Sequence, residues 1–132
     1  MAAFVAHTTV DCTHAYQLSR WWQEVLGYVE DPQDPNLPEH PECLIFSPDT
    51  GHRLLFVEVP DAKAAKNRVH LDLRPQSGPR DDELVRLLAL GAVQVDDRRR
   101  PDGTGWVVLA DPEGNEFCIL RSEAEVAAGP AH

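Results

Sequence analysis

Residues 106–120, WVVLADPEGNEFCIL, predict a β-hairpin near the end of the chain. The first five residues are apolar and rich in β-branched side chains, as is typical of a strand. Residues 111–114, DPEG, suit a type I turn, because Asp bonds the backbone ahead, Pro presets φ and Gly is favoured at the fourth position. In the returning strand, Phe117 and Ile119 share one face and Cys118 lies on the other.

An earlier stretch repeats this plan. Residues 47–56, SPDTGHRLLF, again place a proline and a glycine before a strand. Aligning Gly51 with Gly114 brings two further pairs into step, which are His7 with His70 and, within one residue, Gly27 with Gly91. The chain therefore reads as two copies of a unit of roughly 63 residues, a strong signal of internal duplication.

Each copy reads as a strand, a helix and then further strands, which predicts an α+β fold of two βαβββ modules in one domain, residues 1–132. We place module one at about residues 4–60, a linker at 61–67, module two at about 68–121 and a tail at 122–132.

The first module is predicted to begin with a strand over residues 4–12. A helix follows over about 14–26, capped by Thr13 and ended by Gly27. Trp22 lies on its apolar stripe, where it either packs against the sheet or stacks on a ligand.

Two segments leave their roles open. Residues 30–41 carry a proline at every third position, which favours an extended loop, either a flap near an opening or a plain surface loop. Residues 98–100 are three arginines, which form a solvated face or else gate an anionic small ligand.

The second module opens with a strand over residues 68–73, in which His70 and Asp72 share a face. Asp81 and Asp82 suit the positive N-terminus of the next helix. Ser122 begins a pattern typical of a capping box for a short final helix.

Composition excludes several classes of function. The chain has a formal net charge of −10 and a pI near 4.9, whereas nucleic acids and anionic membranes bind basic surfaces. No apolar run is long enough to span a bilayer, and the first residues show no signal peptide. The three cysteines are far apart, which predicts free thiols and a cytoplasmic location.

Three motifs give the chain a family resemblance. His7, followed by Trp21-Trp22 and then Leu26-Gly27, is similar to an opening "H … FY … LG", and residues 111–115 are similar to a closing "DPxGN". In this pattern the chain resembles the vicinal oxygen chelate superfamily of glyoxalases, bleomycin-resistance proteins and extradiol dioxygenases. Residues 102–120 look especially like its glyoxalase-like branch in actinobacteria, and the resemblance extends over about residues 4–121.

The resemblance implies a curled sheet around a cavity, a homodimer and, in metal-dependent members, four inward ligands. Carried over to this sequence, the ligand positions are His7 and His70 in the first strands and Leu55 and Cys118 in the last strands. The active enzymes have Glu where this chain has Leu55 and Cys118. Two imidazoles and one thiol therefore remain, a set that zinc tolerates.

Our first hypothesis is a metal-independent protein that binds a small organic molecule in a cavity. Five residues would line it: His7, Trp22, His70, Trp106 and Cys118. The second hypothesis is a metal-dependent lyase, isomerase or dioxygenase that holds Zn, Fe, Mn or Ni through His7 and His70. A non-catalytic interaction module is the third.

Overall fold

The computed structural model describes residues 1–130, which contain seven strands and three helices. The last two residues of the predicted tail lie outside this range. In chain order the elements are β1 Thr8–Cys12, α1 Ala15–Leu26, β2 Glu42–Phe46, β3 Arg53–Glu58, β4 Leu71–Leu73, α2 Arg80–Ala89, β5 Val93–Asp97, β6 Val107–Ala110, β7 Glu116–Ile119 and α3 Glu123–Ala128. The chain divides into two compact units between Lys63 and Ala64. Among the described residues, no helix has the length and apolarity that a membrane crossing requires.

The first unit contains a three-stranded sheet in the order β1-β3-β2, with β1 parallel and β2 antiparallel to β3. The helix α1 lies against β2 and β3. Its buried apolar residues include Leu18, Trp22 and Val25, whose spacing is that of one helix face. They meet a sheet face whose Leu54 and Phe56 are fully buried. Burial of each such side chain contributes about 1.5–3 kcal/mol to folding.

The second unit contains a four-stranded sheet in the order β4-β7-β6-β5. The helix α2 packs on β7 and buries Leu84 and Leu87. Phe117, Cys118 and Ile119 of β7 are all buried. In both units the first strand pairs parallel to the last strand, and the other pairings are antiparallel.

The two sheets have matching strand orders, and an isolated bridge in the first unit lies where the second unit has its fourth strand. Val29 pairs with Phe46 on the outer side of β2, where β5 lies in the second unit. The strand registers match as well. Thr9 is opposite Leu55 in the first unit, and Asp72 is opposite Cys118 in the second. The duplication seen in the sequence is therefore confirmed at the level of topology.

The hairpin of residues 106–120 forms as predicted. The Asp111 carboxylate accepts bonds from the backbone N–H groups of Glu113 and Asn115, each at 2.9 Å. The Gly114 N–H donates to the Asp111 carbonyl at 2.9 Å and closes the turn. Ser122 forms the predicted capping box with Glu125 at the start of α3.

The predictions for the start of the first unit were wrong in two details. Strand β1 begins at Thr8, so residues 4–7 lie outside it, and Phe4 is 88% exposed. The N-cap of α1 is His14, without a side-chain cap bond, rather than Thr13. The Glu58 carboxylate, at the end of β3, instead accepts the Ala15 N–H at 3.0 Å. A carboxylate at this position also interacts favourably with the helix dipole.

The proline-rich segment of residues 30–41 is fastened to the first sheet. The Asn36 side-chain amide donates to the Leu44 carbonyl at 2.9 Å and accepts from the Leu44 N–H at 3.2 Å. The Asn36 backbone N–H donates to the Glu30 carboxylate at 3.3 Å. These contacts hold the segment along the outer side of β2.

A buried arginine joins α2 to the loop between β5 and β6. Arg80 is 3% exposed, and its guanidinium donates to the carbonyls of Gly103 and Gly105 at 3.1 and 2.9 Å. Its Nε donates to the Asp81 carboxylate at 3.0 Å. The Arg80 guanidinium therefore supplies hydrogen-bond donors to loop carbonyls that would otherwise lack them.

Candidate functional site

One face of the second sheet carries most of the chemically useful side chains. Phe117 and Ile119 point to the face that α2 covers, so the alternating residue Cys118 points to the other. Asp72 shares this face with Cys118, because the two residues are opposite each other in the parallel pair β4–β7. The strand predicted over residues 68–73 begins only at Leu71, so His70 lies directly before it and reaches this face beside Asp72. We call it the His70 face.

Three potential ligand atoms converge there. The His70 Nε2 lies 3.3 Å from a carboxylate oxygen of Asp72. The thiol of Cys118 completes the group, and the three ligand atoms lie within 4.8 Å of one another. The side chains of His70 and Asp72 are 37% and 52% exposed, whereas Cys118 is buried. The cluster is thus anchored in the sheet by its thiol and open on its imidazole and carboxylate side.

The environment keeps the thiol protonated in the absence of a cation. Burial raises the pKa of Cys118 from 9.0 to about 11, and the negative charge and hydrogen bond of Asp72 act in the same direction. Such a thiol is a poor nucleophile near neutral pH, because the thiolate is the reactive form. A bound cation would reverse this preference, since coordinating thiols are deprotonated.

The donor set fits a divalent metal ion. Ligands about 2.0 Å from a tetrahedral zinc ion stand about 3.3 Å apart, which is the separation of His70 and Asp72. Imidazole, carboxylate and thiolate are all zinc ligands, and three protein ligands leave one position open for water or substrate.

Trp106 lies on the same face. It precedes β6 and alternates with Val107, whose side chain is fully buried on the helix side. The Trp106 ring is half-buried, and the Arg100 guanidinium carbon lies 5.8 Å from its centroid. This distance is typical of a cation–π contact. The last arginine of the run at 98–100 therefore flanks the aromatic residue of this face.

The first unit has no equivalent cluster at the corresponding positions. His7 occupies the place of His70 and is exposed just before β1. Thr9 and Leu55 occupy the places of Asp72 and Cys118, as the strand registers show. Neither a threonine nor a leucine side chain matches the carboxylate and thiolate ligands of the second unit.

Trp22 is 3% exposed and packs between α1 and the first sheet. Its burial favours the packing role over stacking on a ligand. Its neighbour Trp21 is half-buried and meets it edge to face, with ring centroids 5.2 Å apart. Among the five predicted ligand-binding residues, His70, Trp106 and Cys118 share one face, and His7 and Trp22 belong to the first unit.

Two polar groups were missed as site candidates from the sequence. Asp72 had been assigned to the face of His70, but its contact with Cys118 depends on the register of β4 against β7. In the first unit, His52 bridges two hydroxyls, with 2.7 Å from its Nδ1 to Tyr28 and 3.3 Å from its Nε2 to Thr8. This bridge ties β1 to the start of β3, and we assign it a structural role.

A separate groove of about 830 Å³ lies between residues 74–79 and α3. It is lined by residues 74–79 and by residues of the α3 segment, including Ser122, Ala124 and Ala128, and by none of the five predicted ligand-binding residues.

Comparisons with known proteins agree with this fold. The family described as "Glyoxalase-like domain" matches residues 7–120. Among solved structures, the fosfomycin resistance protein FosX from Listeria monocytogenes is 18% identical, with a TM-score of 0.70 over 98% of this chain and 99% of that chain. A glyoxalase/bleomycin resistance protein/dioxygenase family enzyme from Burkholderia phytofirmans is 16% identical, with a TM-score of 0.68 over 89% and 97% of the two chains. Comparison with curated protein sequences gave no match.

At these identities the structural neighbours establish the fold alone, whereas the family match covers most of the sequence. The match includes His7, both tryptophans of α1 and the whole closing hairpin. The actinobacterial branch stays a prediction. The chain therefore belongs to the glyoxalase-like domain family, within the vicinal oxygen chelate superfamily.

Proposed function

We propose that this protein binds a small organic molecule bearing anionic or neighbouring oxygen atoms, and that it does so without the full four-ligand metal site that the family resemblance implies. The observation that carries the proposal is the half-buried Trp106 beside Arg100, on the face that also presents His70. An aromatic surface with a few convergent polar groups is typical of small-molecule sites. The guanidinium of Arg100 favours an anionic partner in a chain that is otherwise strongly acidic.

One structural neighbour supports this choice of ligand class. A FosX structure from Listeria monocytogenes contains 1S,2S-dihydroxypropylphosphonic acid together with Mn(II), at 17% identity, with a TM-score of 0.68 over 92% of each chain. We transfer to this chain only the class, a small acid with adjacent oxygen atoms. The prediction that His7 and Trp22 take part in binding is tested separately below.

The test is ligand binding by chelator-treated protein. A panel of small hydroxy acids and phosphonates is screened by thermal shift and then by calorimetry. A ligand at a hundred times its Kd stabilises the folded state by about 2.7 kcal/mol. Trp106→Ala should abolish the shift and Trp21→Ala should leave it intact, because Trp21 has similar exposure but lies in the first unit. His7→Ala and Trp22→Phe measure the contribution of the first unit. Loss of binding in Trp21→Ala but not in Trp106→Ala would refute the site.

A metal-dependent lyase, isomerase or dioxygenase is the second candidate. It is favoured by the three ligand atoms of His70, Asp72 and Cys118, which lie within 4.8 Å of one another. A bound ion would polarise a substrate oxygen as a Lewis acid. The test is the metal content of untagged protein beside a His7→Ala/His70→Ala variant. Absence of metal from the parent, even after incubation with Zn, Fe, Mn and Ni, would eliminate this candidate.

We also propose a homodimer, on the family resemblance, and a cytoplasmic location, supported by the three free thiols. Sedimentation equilibrium tests the dimer, and a monomer at micromolar concentration would contradict it.

A further inference from the structure

We infer that the second unit alone forms a zinc site, in which His70, Asp72 and Cys118 are the three protein ligands. The inference deepens the second candidate function by naming the ion and its ligands. It differs from the ligand set expected from the family, in which each module contributes two ligands.

The first step of the argument is geometric. Asp72 and Cys118 are opposite each other on the adjacent strands β4 and β7, and His70 precedes Asp72 by two residues. His70 stands directly before β4, and its Nε2 lies 3.3 Å from the Asp72 carboxylate, which brings the imidazole to the face of the thiol. The strand register therefore sets Asp72 against Cys118, and His70 joins them from the residue directly before β4.

The second step is the comparison of the two units. The register that places Asp72 against Cys118 places Thr9 against Leu55 in the first unit. After the duplication, the two copies thus differ at two of three equivalent positions, and only the second copy combines imidazole, carboxylate and thiol. The ion would require no side chain from the first unit.

The third step concerns the choice of ion. A thiolate ligand favours zinc over the harder ions Mn²⁺ and Mg²⁺, which prefer oxygen ligands. Three protein ligands leave a fourth tetrahedral position free, as in catalytic zinc sites. The exposed side of the cluster, with Asp72 52% exposed, gives the ion and a fourth ligand access from solvent.

The experiment uses full-length, untagged protein that has been stripped with a chelator. Zn²⁺ is titrated in competition with a chromogenic chelator, and Co²⁺ is used as a spectroscopic substitute. We expect one equivalent of Zn²⁺ per chain, weaker binding of Mn²⁺ and a thiolate-to-cobalt charge-transfer band. Asp72→Asn, at an exposed position, should weaken Zn²⁺ binding by roughly tenfold or more, because even indirect partners of metal ligands contribute tenfold to a hundredfold. Cys118→Ser should remove the charge-transfer band.

Two control variants keep the test specific. Asp96→Asn changes a carboxylate that is aligned with Cys118 across the strands. Asp96 in β5 is opposite Val108 in β6, and Val108 is opposite Cys118 in β7. At two strands from the thiol, or roughly 10 Å, it is too far to bind the same ion. The second control, His7→Ala, should also leave Zn²⁺ affinity unchanged.

Three outcomes would overturn the inference. These are no zinc binding, zinc binding without the cobalt charge-transfer band, and weakening by His7→Ala together with no effect of Asp72→Asn. None of these readouts requires an organic ligand or turnover. Failure of the zinc site is therefore distinguishable from failure of small-molecule binding, which is measured on stripped protein, and from lack of enzymatic activity.

Discussion

Replacement of Arg80 by methionine tests how the second unit holds the loop between β5 and β6. Methionine keeps most of the length and apolar stem of the side chain but removes every donor. The change eliminates the bonds to the carbonyls of Gly103 and Gly105, at 3.1 and 2.9 Å, and the contact with the Asp81 carboxylate at 3.0 Å. The methionine cannot satisfy either carbonyl, and the backbone around them has only limited room to rearrange.

The cost follows from the number and kind of these bonds. A hydrogen bond from a charged donor contributes about 1.5–3 kcal/mol, and a buried carbonyl left unpaired costs about 1–3 kcal/mol. Part of this loss is offset, because a buried guanidinium no longer has to be desolvated. We therefore expect the free energy of unfolding to fall by about 3 kcal/mol. For 132 residues the unfolding entropy is about 0.28 kcal/mol/K, so the Tm should fall by about 11 °C.

The matched control is Arg86→Met in the same helix. Arg86 pairs with Glu83 at 2.6 Å, but its side chain is 45% exposed. Exposed pairs of this spacing contribute about 0.3–0.5 kcal/mol, so the Tm should change by less than about 2 °C. Both variants are measured by calorimetry and by urea unfolding at one pH and salt concentration. Equal Tm values for the two variants would refute the argument that burial makes the Arg80 contacts strong.

Three further changes test other parts of the second unit and the duplication. The Arg99 guanidinium lowers the pKa of Asp97 from 3.8 to about 2, so the stability from this pair should be complete above about pH 4 and lost as pH falls toward 2. In Arg99→Met, NMR titration should show the Asp97 midpoint return toward 3.8, and an unchanged midpoint would contradict the assignment. Gly105→Ala should destabilise the protein by more than about 2 kcal/mol, because φ is +94° and the added Cβ would overlap the backbone carbonyl of Arg98. Urea unfolding measures this loss, and an unchanged stability would contradict the backbone geometry. Thr9→Asp combined with Leu55→Cys should raise zinc stoichiometry from one to two per chain if the zinc inference holds, and an unchanged stoichiometry would show that matching register is insufficient to build a site.

The sequence predicted most reliably what depends on neighbouring residues. The closing hairpin was correct because the Asp111 carboxylate and the Gly114 N–H act within a single turn. The end of α1 was also correct, since Gly27 adopts a left-handed conformation with φ of 68°. The duplication was visible because the two copies repeat these local signals at similar spacing.

The errors arose where a distant partner decides the outcome. The alternation from Phe4 onward continues past the end of the sheet, but the ladder starts with the pair Thr8–Leu54 and β3 begins at Arg53, so residues 4–6 have no partner in β3. A strand cannot continue beyond the end of its hydrogen-bonding partner, even where its own sequence still alternates. For the same reason, Asp72 was placed on the correct face but could not be assigned to Cys118 without the register of β4 and β7.

The Asn36 side chain also bears on whether the outer edge of β2 can pair with a strand of another protein molecule. In β2, the backbone groups of Leu44 and Phe46 face away from β3; Phe46 is paired with Val29, and Leu44 is paired with the Asn36 side chain. Strands with unpaired outer groups invite a foreign strand to add to them, which is how many β-sheet proteins aggregate. The Asn36 side chain has the same donor and acceptor as a peptide group, and it already occupies the position beside Leu44 at which a foreign strand would pair. The proline-rich loop that carries it has few N–H groups with which to extend the sheet further. With Leu44 and Phe46 already paired, we expect the outer side of β2 to resist the addition of a foreign strand, whether or not a ligand is bound.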